Sequence, residues 1–203
     1  MRPCQLTWHS FDATLNRVRI VIAHGASGNA ASMQPHVAGL ARRGVDAVAI
    51  DLPVRQAEAA VPVYRARIEA LPDSEAELVI GGQSYGGRVA SLLAAGPDSH
   101  IAGLICFSYP LHRPGQPEWE VRTAHWPAIA APVLFLSGES DPFARLDLLQ
   151  RACAERLPGA RLVTYAGLGH SLSPVLDAAL DQAVAFLEEV VRPRLAQSAG
   201  SPP

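Results

Sequence analysis

Ser84 stands between glycines in Val79-Ile80-Gly81-Gly82-Gln83-Ser84-Tyr85-Gly86-Gly87-Arg88, and this stretch limits what the chain can fold into more than any other. The apolar run Leu78, Val79 and Ile80 leads in, and Val89-Ala90-Ser91-Leu92-Leu93-Ala94-Ala95 leads out. The first reads as a strand and the second as a buried helix, so Ser84 is expected at the apex of a strand, a tight turn and a helix. A serine on so sharp a turn occupies strained backbone, and side chains beside it would collide with adjacent elements. Gly82 and Gly86 remove that clash. A Gly-x-Ser-x-Gly turn in this setting is a nucleophile elbow, which lifts a seryl hydroxyl clear at the top of a sheet.

The rest of the chain alternates short β-rich runs with helical patterns. Residues 5–11 read as a weak edge strand, and Val18 to Ala23 as a clear strand followed by the glycine-rich loop His24-Gly25-Ala26-Ser27-Gly28-Asn29. Met33, Val37, Leu40 and Ala41 have helical spacing, which stops at Gly44. Val45 to Leu52 is a strand ended by Pro53, Tyr64 to Leu71 a helix, and Ile101 to Ser108 an unbroken apolar run of the kind found in parallel strands covered on both faces. From Tyr109 to Pro132 the sequence is proline-rich and reads as loop with a short helix, too short for a separate cap domain. Val133 to Leu136 is a strand, Leu146 to Leu157 a helix and Ala160 to Tyr165 a strand. A last helix places Leu176, Leu180, Ala183, Leu187 and Val190 on one face. This alternation predicts an α/β fold: a doubly wound, mostly parallel sheet with helices on both faces. It forms one domain over residues 1–195, with a disordered polar tail at 196–203.

Composition narrows the function. With 203 residues, 49% hydrophobic and 18% charged, the chain is long and apolar enough for one full core. A formal charge of −2 with no basic run argues against a nucleic-acid partner. All 17 basic residues are arginine, and the absence of lysine excludes a P-loop lysine, a cofactor Schiff base and a Ser-Lys dyad. The 3 cysteines, Cys4, Cys106 and Cys153, are odd in number and widely spaced, which suits a reducing compartment. No apolar stretch approaches the ~20 residues of a membrane span, and no secretory signal pattern precedes the first strand, so the expected location is cytoplasmic, with no membrane partner.

In a doubly wound sheet the working residues cluster at the carboxyl ends of the strands. Ser84, Asp141 and His170 each follow a predicted strand. A serine hydroxyl needs a base to take its proton as it attacks, and His170 is the only histidine after Asp141. A carboxylate on the other ring nitrogen fixes the tautomer and offsets the imidazolium charge, a role assigned to Asp141, with Glu139 and Asp147 as nearby rivals. The oxyanion formed on an acyl substrate needs N–H donors, expected from the backbone of Tyr85 and of Ala26. Arg88 has two readings, an anion-binding group or a structural ion pair. His112, Arg113, Trp119 and Trp126 either wall the pocket or pack the surface. His24 is expected to shape the oxyanion loop; as a metal ligand with His112 and His170 it lacks the close spacing such a site needs.

Five stretches together resemble the small, capless α/β-hydrolases: His24 to Gly28, Gly81 to Arg88, Ser108 to His112, Gly138 to Phe143, and Gly169-His170. They look closest to the branch that holds dienelactone-hydrolase-like bacterial proteins and the hydrolase-like domain of a subunit of the nonspecific-lethal chromatin complex. Dienelactone hydrolase itself carries cysteine where this chain has Ser84. The resemblance implies a serine hydrolase that cleaves a small ester, thioester or related acyl compound through an acyl-enzyme, without metal or organic cofactor. Because the branch also holds members thought not to be enzymes, a catalytically idle fold used for protein interaction is the alternative. Acyl transfer through the same elbow is a third possibility.

Overall fold

A computed structural model of the chain describes residues 15–72 and 74–199. Its strands are β1 (Val18–Ala23), β2 (Asp46–Ile50), β3 (Glu77–Gln83), β4 (Gly103–Phe107), β5 (Val133–Gly138) and β6 (Arg161–Tyr165). They form one 6-stranded sheet in the order β2-β1-β3-β4-β5-β6, and every neighbouring pair is parallel. The helices are α1 (Gln34–Ala41), α2 (Ala57–Glu69), α3 (Tyr85–Ala94), the single turn α4 (Glu120–Thr123), α5 (Leu146–Arg156) and α6 (Leu176–Ala199).

Side chains along a strand alternate between faces, and here the alternation divides the interior in two. Val21, Ile80, Leu104, Cys106 and Phe135 enter one apolar cluster with Tyr64 of α2, Val89 and Leu93 of α3 and Leu149 of α5. Ile20, Ile22, Val79, Ile105, Phe107 and Leu136 enter the other with Leu40 of α1 and Leu180, Ala183 and Leu187 of α6. Each large aliphatic residue removed from water in this way contributes ~1.5–3 kcal/mol, so the sheet is held from both sides. The doubly wound, parallel architecture expected from the sequence is the one observed.

Two elements differ from the sequence reading. Helix α2 starts at Ala57, well before Tyr64, and carries Pro62 inside it. Proline forfeits the N–H that would reach the carbonyl of Glu58, a local cost outweighed by burial of Ala57, Ala60 and Tyr64. At the other end, α6 runs through Ala199 into the stretch expected to be a disordered tail. Ala196, Gln197 and Ala199 are compatible with continued helix. The edge strand expected at 5–11 lies outside the described residues.

Strand order places the site. From β1 the chain moves outward to β2, then returns to the other side of β1 as β3 and continues outward through β6. The direction of winding therefore reverses between β1 and β3, and a crevice opens beyond the carboxyl ends of those two strands. The loop after β1 and the turn after β3 flank it.

Candidate active site

The turn after β3 is built around close backbone approach. Ser84 has φ 49° and ψ −113°, a conformation that L-residues avoid. A side chain at Gly82 would meet the backbone of Gly86 and Gly87 at 2.7 and 2.9 Å. One at Gly86 would run into the carbonyls of Ala23 and His24. Substituents at either position would push β3, α3 and the loop after β1 apart. The Ser84 N–H donates to the Phe107 carbonyl (2.8 Å), and the Arg88 N–H to the Ser84 carbonyl (3.1 Å), so the strained residue is pinned on both sides.

A second pair of loops is held as tightly. Gly138 ends β5 where an added Cβ would strike the carbonyls of Leu168 and Gly169. The N–H of Ser140 donates to Leu168 (2.8 Å) and that of Glu139 to Tyr165 (3.1 Å), which registers the loop after β5 against the loop after β6. The effect is to bring Asp141 to His170. Asp141 is buried, its Oδ2 lies 2.8 Å from His170 Nδ1, and its Oδ1 accepts from the Phe143 N–H at 2.8 Å. His170 Nε2 lies 2.8 Å from Ser84 Oγ. A carboxylate can only accept, so Nδ1 carries the proton and, in a neutral ring, Nε2 is left to accept from the serine hydroxyl. Neither rival carboxylate reaches this histidine: Glu139 accepts from Thr164 Oγ1 (2.9 Å), and Asp147 is paired with Arg145 (2.6 Å).

Ala26, Ser84 and Tyr85 line one cleft of about 760 Å³, together with Arg88, Pro110 and Phe143. Tyr85 is the first residue of α3, so its N–H has no acceptor inside the helix. The Ala26 N–H has no backbone acceptor among the described residues. The Tyr85 hydroxyl donates to the Pro53 carbonyl (2.9 Å), tying the turn to the segment after β2.

His24 is buried and does structural work. Its Nε2 accepts from the Leu52 N–H (3.1 Å), and Nδ1 lies 2.8 Å from the Gly25 carbonyl. The loop after β1 is thereby fastened to the end of β2. His112 plays the matching part in the proline-rich segment, with Nε2 accepting from the Arg145 N–H (3.0 Å) and Nδ1 at 2.9 Å from the Arg113 carbonyl. Both nitrogens of each ring are thus engaged within the fold. Among the described residues no group of three or more His, Cys, Asp or Glu converges as a metal site.

Of the remaining sequence candidates, Arg113 lines the cleft. Trp119 and Trp126 are buried residues of the proline-rich segment, and Trp126 packs on Tyr109 and Phe135 at centroid distances of 5.2 and 4.8 Å. They are core and not pocket wall. Arg88 makes the structural ion pair that was one of its two readings, with Glu58 (2.8 Å), and its side chain also lines the cleft. Two further residues belong to the site without a role assigned from sequence: Phe143, whose ring lies 4.5 Å from that of His170, and Arg122, which lines the cleft from α4. The sequence signal for Phe143 is its place two residues after Asp141, in Asp141-Pro142-Phe143.

The alpha/beta hydrolase domain matches residues 16–192. Among solved structures, the chain is similar to the monoacylglycerol lipase of Paleococcus ferrophilus, at 16% identity and TM-score 0.72 over 85% of this chain and 94% of that one. It is also similar to Est1E of Butyrivibrio proteoclasticus, solved with ferulic acid bound, at 17% identity and TM-score 0.72 over 86% and 90% of the two chains. An esterase of Pyrococcus furiosus matches at 14% identity and TM-score 0.71 over 87% and 85%. At these identities the structures share the fold, and the family match covers most of the sequence. The chain belongs to the alpha/beta hydrolase domain family.

Proposed function

We propose that the protein is a serine hydrolase that cleaves a small ester, thioester or related acyl compound through an acyl-enzyme on Ser84. The observation that carries this reading is the unbroken relay from Asp141 Oδ2 to His170 Nδ1 and from His170 Nε2 to Ser84 Oγ, with both contacts at 2.8 Å. Ser84 Oγ attacks the acyl carbon as its proton passes to His170 Nε2, and Asp141 offsets the imidazolium charge. The negative oxygen that forms on the substrate is received by the N–H groups of Tyr85 and Ala26, each worth ~3 kcal/mol of barrier. Collapse of the tetrahedral species breaks the acyl–oxygen or acyl–sulfur bond, and the leaving alcohol or thiol takes the proton from His170. Water then attacks the acyl-enzyme, gives a proton to His170, and the acid departs as Ser84 recovers its hydrogen.

No metal or organic cofactor takes part in this scheme. The apolar faces of Pro110, Val121 and Phe143 in the cleft suit a short acyl chain. Within the family, the five sequence motifs support a place beside the dienelactone-hydrolase-like branch, with Ser84 in place of its cysteine.

The test is steady-state hydrolysis of 4-nitrophenyl esters of increasing chain length by the purified protein. Short esters are expected to turn over faster than long-chain ones, and Asp141→Asn to lower kcat by about 10³–10⁴-fold with the fold retained. Absence of turnover in well-folded protein would favour the protein-interaction alternative. Full activity in Asp141→Asn would remove the carboxylate from the mechanism.

A further inference from the structure

Although the whole chain carries a formal charge of −2, the cleft at Ser84 is lined by Arg55, Arg88, Arg113 and Arg122 against only Glu58 and Glu118. Charges lining a cleft walled by protein act together, so a cluster of one sign favours ligands of the other. Arg88 is already committed to Glu58. Among the described residues Arg122 makes no ion pair with a carboxylate, and Glu58, paired with Arg88, acts on it only from a distance. Arg122 Nη1 donates to the carbonyls of Pro110 (2.7 Å) and His112 (3.4 Å), and its Nε and Nη2 have no protein acceptor among the described residues. That free edge is the one with which a guanidinium grips a carboxylate or phosphate side-on.

Arg122 is also half-buried on α4, whereas Arg55 and Arg113 are exposed. A cation withdrawn from water without a counter-ion is costly, and an anion beside it offsets that cost. Burial and then the neighbouring Arg88 push the Arg122 guanidinium below its usual range, as expected where positive charge is in excess. The arginines come from the loop after β2, from α3 and from the proline-rich segment, so they reach the cleft from separate parts of the fold.

We infer that the substrate is an acyl compound that carries a carboxylate or phosphate, held by the free edge of Arg122 with Arg113 and Arg55 at the mouth of the cleft. This rests on the acyl-enzyme reading of Ser84 and narrows its substrate class. A carboxylate would lie on the acyl chain, and a phosphate on the leaving group.

Two matched pairs separate these sources. The first compares mono-4-nitrophenyl glutarate with 4-nitrophenyl pentanoate, and the second butanoyl coenzyme A with butanoyl N-acetylcysteamine. We expect kcat/KM for the anionic member of at least one pair to exceed its neutral partner by tenfold or more, with the ratio shrinking in high salt. Arg122→Gln is expected to cut that ratio at least fivefold. Arg113→Gln, which removes an exposed side chain without a hydrogen bond among the described residues, should cut it by a smaller factor and guards against a folding defect in the first variant.

Ratios at or below one in both pairs, ratios kept by both variants, or labelling of Ser84 by a fluorophosphonate without turnover of any of the four compounds would overturn the inference. Turnover of the neutral compounds with no anionic preference would leave the acyl-enzyme reading standing. Loss of both turnover and labelling would remove the two together.

Discussion

Ser84 is the residue on which the fold and the proposed chemistry conflict. Its φ of 49° places a non-glycine residue in left-handed backbone, which costs on the order of 1–3 kcal/mol and is sustained by the packing of Gly82 and Gly86 against β1. Ser84→Gly is therefore expected to raise stability by ~1 kcal/mol, measured by urea denaturation, while turnover disappears; a lower midpoint would contradict the account of strain. A second residue-level effect concerns acid. His36 is half-buried, its Nδ1 has no hydrogen-bond partner among the described residues, and it packs edge-on against Phe107 at 5.0 Å. Burial lowers its pKa to about 4, so in the folded protein the ring stays neutral while the unfolded chain protonates near 6.5. Between those values the unfolded state binds more protons, and stability falls as pH falls. His125 is lowered to about 4 by burial and then by Arg88, and it acts in the same direction. The urea midpoint should drop between pH 7 and pH 5, with about 1–2 kcal/mol of the loss due to His36. In His36→Phe that drop should be smaller, and an unchanged drop would show that His36 does not contribute.

At the level of elements, the site depends on two loop pairs: the loop after β1 against the turn after β3, and the loop after β5 against the loop after β6. Gly138 sets the second spacing, because a Cβ there would strike the carbonyls of Leu168 and Gly169. Gly138→Ala should separate Asp141 from His170 and lower kcat/KM by ~10²-fold, with far-UV circular dichroism unchanged; wild-type kcat/KM would show that the loops tolerate the shift. Much of this scaffold was legible in the sequence. The bounds of β1 match the reading from Val18 to Ala23, since a run of branched apolar residues before a glycine loop is a strong strand signal. The start of α2 was not legible, because its buried positions Ala57 and Ala60 are small and Pro62 interrupts the pattern. The bonds of His24 to Leu52 and of His112 to Arg145 join residues far apart in sequence, and no local periodicity encodes such partners. Positive φ at Ser108 was equally silent, since serine, unlike glycine, gives no sign of left-handed backbone.

For the whole molecule, the central point is that three separate strand ends and the two loop pairs between them converge on one hydroxyl. The parallel sheet is what makes this possible, because every carboxyl end points the same way and the winding reverses between β1 and β3. That Ser84, Asp141 and His170 come together was legible because each follows a strand that the sequence marks well. Arg122 was not, because it lies on a single helical turn inside a proline-rich segment whose path is set by packing of Trp126, Tyr109 and Phe135. Among the described residues no helix is long and apolar enough to cross a membrane. Whether Ser84 is an activated nucleophile is read from intact mass after exposure to a fluorophosphonate, with Ser84→Ala in parallel. One covalent adduct is expected on the wild-type protein and none on the variant. No adduct on well-folded wild-type protein, or an adduct that persists in Ser84→Ala, would contradict that assignment.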